Sequence, residues 1–66
     1  MKEDAVGTLC ELRKNWTLED FKDAYSDEWE TIPANLDDCH EMMEEYIYHT
    51  YDNDFILELI KEEKVR

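Results

Sequence analysis

Mostly apolar side chains recur at every third or fourth position from Leu36 to Thr50. This spacing is the 3.6-residue period of an α-helix, and it runs through the segment without a break. Asn35 can cap the first turn, and turn-forming residues follow at 52–54. We therefore predict a helix from residue 36 to about residue 51. Its predicted inner face consists of Leu36, Cys39, Met43, Tyr46, Ile47 and Thr50.

A second helix is predicted before this segment. Thr17 and Asp20 have the three-residue spacing of a capping box, in which each side chain binds a backbone N–H at the start of a helix. Pro33 disfavours helical backbone at the residue before it, so the predicted helix covers residues 17–32. Its large apolar residues follow at helical spacing and are Leu18, Phe21, Tyr25, Trp29 and Ile32.

Two shorter helices are predicted at the ends of the chain. Residues 3–14 form the first, which Gly7 and Thr8 weaken. Asn53 or Asp54 caps the last. The predicted inner side chains are Val6, Leu9 and Cys10 in the first helix, and Phe55, Ile56, Leu59 and Ile60 in the last.

These segments predict an all-α fold, a small bundle of three to four short helices in a single domain of residues 1–66. One Gly and one Pro are too few turn-forming residues for a many-stranded β fold. The alternative is an α+β fold in which residues 46–51 and 54–60 pair as a C-terminal hairpin, since both stretches are rich in aromatic and β-branched residues. The unbroken helical period favours the bundle. Because so short a chain buries a small core, self-association into a homodimer is left open.

Charge is distributed unevenly along the chain. The net charge is −12 at pH 7, and all seven Lys and Arg residues lie at or before Lys22, or at or after Lys61. The segment 23–60 therefore holds twelve carboxylates and no Lys or Arg. Helix surfaces ordinarily mix the two signs, because opposite charges one turn apart are stabilising and like charges are destabilising. The segment gives up local stability, which favours a use for its negative field over solubility alone.

A helical arrangement places these carboxylates on outward faces, with Tyr48 in the middle of one of them. An exposed aromatic side chain of this kind is typical of protein interfaces, although packing of Tyr48 against a loop or a second copy is an equal alternative. The residues predicted to contact a basic partner are Glu19, Asp20, Asp23, Asp27, Glu30, Asp37, Glu41, Glu44, Glu45, Tyr48, Asp52, Asp54 and Glu58.

The Cys39-His40 pair is the feature closest to a metal or catalytic site. Adjacent helix residues do not face each other, and zinc sites normally repeat their Cys and His spacings. An EF-hand loop, a Gly-rich phosphate loop and a nucleophile motif are all missing from the sequence. We predict no catalytic residue, no metal and no cofactor, and therefore a protein that is not an enzyme.

The apolar runs are too short for a signal peptide or a membrane span, so a soluble, cytoplasmic protein is expected. In a reducing cytosol Cys10 and Cys39 are free thiols, although a bridge between them is left open. The net charge disfavours direct binding to nucleic acid or to anionic membranes and favours a basic protein partner.

In size, charge and lack of catalytic motifs, the chain resembles the small acidic inhibitors encoded by phages and mobile elements. Those proteins mimic nucleic acid and act against restriction enzymes, CRISPR nucleases, repair enzymes or nucleoid proteins. The resemblance implies an inhibitor that blocks the nucleic-acid-binding surface of a basic protein, such as a nuclease, inside a host cell. Two alternatives stay open. One is a helical adaptor or self-associating structural protein, in which the apolar strip of Phe55, Ile56, Leu59 and Ile60 docks a partner helix or a second copy and the charge serves solubility. The other is an antitoxin-like binder of a basic toxin.

Overall fold

The computed structural model describes residues 1–65 and contains four helices within them: α1 (Lys2–Leu12), α2 (Leu18–Tyr25), α3 (Leu36–Thr50) and α4 (Asn53–Lys64). The described residues form no strand. The all-α bundle is therefore confirmed, and residues 46–50 and 53–60 lie in helices in place of the alternative hairpin. Helix α1 packs against α3 and α4, while α2 packs against α3.

Polar side chains fix where three of the helices begin. Thr17 and Asp20 form the predicted capping box, in which the Thr17 N–H donates to the Asp20 carboxylate at 2.9 Å. The Asn35 side chain accepts from the first-turn N–H groups of α3, the shorter contact being 2.7 Å. In α4 the prediction was wrong by one or two residues. The cap is Asp52, whose extended backbone precedes the helix and whose carboxylate accepts from the Phe55 N–H at 2.8 Å.

The position of this cap gives a test with a built-in control. Replacing Asp52 by alanine will lower the free energy of unfolding by about 1 kcal/mol, because the Phe55 N–H loses its acceptor. Replacing the neighbouring Asn53 by alanine will change the free energy of unfolding by less than about 0.5 kcal/mol, because Asn53 is already inside the helix and is not its cap. Urea denaturation followed by circular dichroism measures both. Equal losses in the two variants would contradict the assignment.

Helix α2 is shorter than predicted, because it ends at Tyr25 instead of Ile32. The chain continues through turns and bends after Tyr25. In the first turn the Trp29 N–H donates to the Tyr25 carbonyl at 2.9 Å, a hydrogen bond with the i to i−4 spacing of an α-helix. That turn keeps Trp29 stacked on Tyr25, with 4.6 Å between ring centres. The acidic residues Asp27 and Glu28 follow the end of the helix, where carboxylates oppose the helix dipole and a further turn is less favourable. Asp27 and Glu30 consequently lie on a loop.

The core draws on all four helices and on the loops around α2. The predicted inner residues Leu36, Thr50 and Phe55 are exposed, with 46% of the Phe55 surface open to solvent. The first two are the terminal residues of α3. Ile56 and Ile60 occupy the inner side of α4 in place of Phe55. The buried apolar residues are Ala5, Val6, Leu9, Trp16, Phe21, Tyr25, Trp29, Cys39, Met43, Ile47, Ile56 and Ile60.

A buried ion pair closes the bundle at the end of α1. Arg13 is only 6% exposed, and its Nε lies 3.3 Å from the Glu63 carboxylate of α4. The guanidinium also donates to the Tyr25 hydroxyl at 2.9 Å and lies 4.3 Å from the centre of the Trp16 ring. Glu63 accepts a further hydrogen bond from the Trp16 indole N–H at 3.2 Å. The sequence patterns did not predict this pairing, which joins residues fifty positions apart.

Candidate functional site

The residues predicted to contact a partner are exposed, apart from Asp20, which is half-buried. Some of them are already engaged within the chain. Asp20 and Asp52 cap helices, as described above. Glu19 lies 3.9 Å from the Lys22 ammonium, and Glu58 lies 3.7 Å from that of Lys61. Such exposed pairs contribute little to stability and leave the carboxylates accessible to solvent.

A second group of the predicted carboxylates forms no ion pair with the rest of residues 1–65. Each is exposed, and no Lys or Arg nitrogen of the described residues lies within 4 Å of its carboxylate. Their placement differs, since some lie on α2, α3 or α4 and others on the loop after α2. The members of this group are Asp23, Asp27, Glu30, Asp37, Glu41, Glu44 and Asp54.

Four of the predicted residues meet in a groove between α1 and α3, which we call the α1–α3 groove. Helix α3 provides its predicted residues Glu41, Glu44, Glu45 and Tyr48, together with His49. These positions follow the i, i+3, i+4, i+7, i+8 pattern of one helix face. Helix α1 provides Glu3, Val6 and Gly7, and the groove encloses about 430 Å³.

Gly7 lies where the two helices leave this space open. A Cβ atom added to Gly7 would meet no other atom within 4 Å, because the residue faces the groove. Val6 beside it is buried and lines the groove with apolar surface. The result is a groove with apolar surface from α1 and carboxylates from both helices, a combination suited to a ligand that has an apolar stem and a positive end.

Tyr48 lies in this groove with 38% of its surface exposed. Its hydroxyl donates to the Glu3 carboxylate at 3.4 Å. The Lys2 ammonium lies 5.1 Å from the centre of the Tyr48 ring, within the range of a cation–π contact. The prediction of Tyr48 among carboxylates thus agrees with the structure, whereas the contributions of α1 were missed. They follow from the packing of α1 on α3, and the periodicity of either helix alone contains no signal for them.

The two residues of the Cys39-His40 pair, the feature closest to a metal or catalytic site, lie in different environments. Cys39 is buried and donates to the Pro33 carbonyl at 3.2 Å, while the His40 ring packs edge-on against Phe21 at 5.0 Å. Burial raises the pKa of the Cys39 thiol, and the nearby Asp38 carboxylate adds to the effect. No group of three His, Cys, Asp or Glu residues within positions 1–65 is arranged to hold a metal ion.

The second thiol, Cys10, is half-buried on α1, and both cysteines are free. Burial raises the pKa of the Cys10 thiol, and the Glu44 carboxylate raises it further, while Arg13 acts in the opposite direction. A raised pKa leaves less thiolate at neutral pH, so Cys10 has the opposite of the environment that activates a nucleophilic cysteine.

The apolar strip predicted on α4 is only partly available to a partner. Ile56 and Ile60 belong to the core of this chain, Leu59 is half-buried, and Phe55 is exposed. The adaptor alternative therefore loses two of its four contact residues.

Within residues 1–65, none of the helices combines the length and the apolar character needed to cross a membrane. Comparisons with protein-family models, with curated protein sequences and with solved structures find no match to this chain. The function is therefore argued from the charge and the geometry of the site.

Proposed function

We propose that the chain is a small inhibitor that binds the basic nucleic-acid-binding surface of a partner protein and blocks it by mimicking DNA or RNA. One observation carries this proposal: the segment 23–60 has twelve carboxylates, no Lys or Arg, and its charged side chains are exposed. The expected partner is a DNA- or RNA-binding protein such as a nuclease. The inhibitor itself would work in the cytoplasm of a host cell as a phage or mobile-element product, without a catalytic residue or a cofactor.

Electrostatics supports this function over plain solubility. A surface that binds nucleic acid uses several Lys and Arg side chains to contact phosphates, and carboxylates can form charge-assisted hydrogen bonds with the same side chains. A concentrated negative field also accelerates encounter with a basic surface. Solubility alone requires net charge but not the removal of every Lys and Arg from a continuous segment.

Salt dependence is the first test. The immobilised protein is exposed to cell lysate at about 0.05 M and about 0.5 M NaCl, a range over which the screening length falls by roughly threefold. We expect a basic nucleic-acid-binding protein to be retained at the lower salt and lost at the higher. The purified partner is then mixed with a fluorescent DNA or RNA duplex, and anisotropy measures whether the inhibitor displaces the duplex. Retention that is unchanged by salt, or a partner that binds the inhibitor and the duplex together, would contradict the proposal.

A further inference from the structure

The α1–α3 groove combines carboxylates with two features that a purely electrostatic surface does not need. Carboxylates stand on both of its helices, with Glu3 on α1 and Glu44 among those on α3. Val6, which is 4% exposed, lines the groove beside the open position at Gly7. The partly exposed ring of Tyr48 lies beside them.

A cation already occupies part of this arrangement. The Lys2 ammonium lies over the Tyr48 ring at 5.1 Å, so the ring attracts a positive charge from within the chain. Lys2 is the first residue of α1, where helix ends open most easily, and its side chain is partly exposed. Its place above the ring indicates the kind of group that the groove receives.

We propose that the α1–α3 groove receives an arginine side chain of the partner and that this contact anchors the complex; the inference rests on the proposed function. An arginine matches each feature. Its planar fork forms paired hydrogen bonds with carboxylates, its weakly hydrated guanidinium stacks on an aromatic ring, and its methylene stem covers apolar surface. Lysine offers a strongly hydrated point charge and lacks the fork, so it fits the groove less well.

The test uses peptides, so that it does not depend on finding the partner. One probe is acetyl-Ser-Gly-Lys-Arg-Lys-Gly-Ser-amide, and the matched probe has Lys in place of its Arg. Calorimetry gives the affinities at low salt, and amide NMR shifts locate the contact. We expect the Arg probe to bind about tenfold more tightly than the Lys probe, with the largest shifts at Gly7 and Tyr48.

Variants that leave the net charge unchanged separate the groove from the rest of the acidic surface. Gly7→Leu fills open space without meeting another atom at its Cβ position, and it will weaken the Arg probe about tenfold. Ala24→Leu makes a similar addition at an exposed position of α2 and will leave the affinity unchanged. Tyr48→Ala will weaken binding as Gly7→Leu does, whereas Tyr48→Phe retains the ring and most of the affinity. Circular dichroism confirms that each variant is folded.

The position of Lys2 adds a test in which the affinity for the Arg probe is expected to increase. Lys2→Gln removes the cation above Tyr48 and will tighten binding of the Arg probe. Lys14→Gln makes the same change of net charge at an exposed residue that pairs with Glu11, and it will tighten binding less. Equal effects of the two variants would overturn the groove as the arginine site.

The outcomes distinguish this inference from the function on which it rests. If both peptides bind equally, and Gly7→Leu and Tyr48→Ala have no effect, the groove is not an arginine site, while salt-dependent binding to a basic ligand still supports the proposed function. If neither peptide binds at low salt, the inference fails. The lysate and duplex experiments then decide the proposed function separately.

Discussion

Replacing Arg13 by alanine will lower the free energy of unfolding by about 3–5 kcal/mol, the cost of removing one partner from a buried ion pair. The Glu63 side chain is only 10% exposed, so its carboxylate stays largely out of water after the guanidinium is gone. The Tyr25 hydroxyl loses a donor at the same time. A chain of this length has a total stability of roughly 3–10 kcal/mol, so the variant will be partly or wholly unfolded at 37 °C.

Urea denaturation of the purified variant, followed by circular dichroism and tryptophan fluorescence, measures this loss. The neighbouring Lys14 provides the control, because its pair with Glu11 is exposed and its replacement by alanine will cost less than about 1 kcal/mol. The double variant Arg13→Met with Glu63→Leu removes both charges and will recover much of the stability. If Arg13→Ala is no more damaging than Lys14→Ala, the buried pair does not hold α1 to α4.

The fold was predictable where a local pattern determines it. Helix α3 follows from the period between Leu36 and Thr50, and the caps at Thr17 and Asn35 follow from side chains that accept backbone N–H groups. The end of α2 was not predictable from the same period, because a turn after Tyr25 preserves the spacing of Trp29 without continuing the helix.

Features that depend on tertiary packing were not predictable from the sequence patterns. Arg13 and Lys14 are adjacent basic residues, and only the packing of α4 on α1 decides which of them is buried beside Glu63. The same holds for the groove. The exposure of Glu41 and Tyr48 could be inferred from helix α3 alone, but their position opposite Gly7 depends on how α1 packs against α3.

The double variant Glu41→Gln with Glu44→Gln will be more stable than the original protein and will bind its partner more slowly. Both residues belong to the same face of α3. Glu41 has like charges three or four residues away at Asp37, Asp38, Glu44 and Glu45, whereas Glu44 has one, at Glu41. Each such pair costs about 0.2–0.5 kcal/mol, so removing these four pairs will raise the free energy of unfolding by about 1–2 kcal/mol. The weaker field will slow association with a basic surface by about threefold at low salt.

Higher stability together with slower association is the decisive result, because damage to the fold would lower both the stability and the rate of association. Urea denaturation measures the first quantity, and stopped-flow mixing with the partner captured from lysate measures the second. The control is Asp4→Asn with Glu62→Gln, which removes the same net charge at exposed positions outside the segment 23–60. Equal slowing by the two double variants would mean that net charge alone steers the encounter. Unchanged association in the Glu41/Glu44 variant would remove these carboxylates, and the groove that they line, from the binding surface.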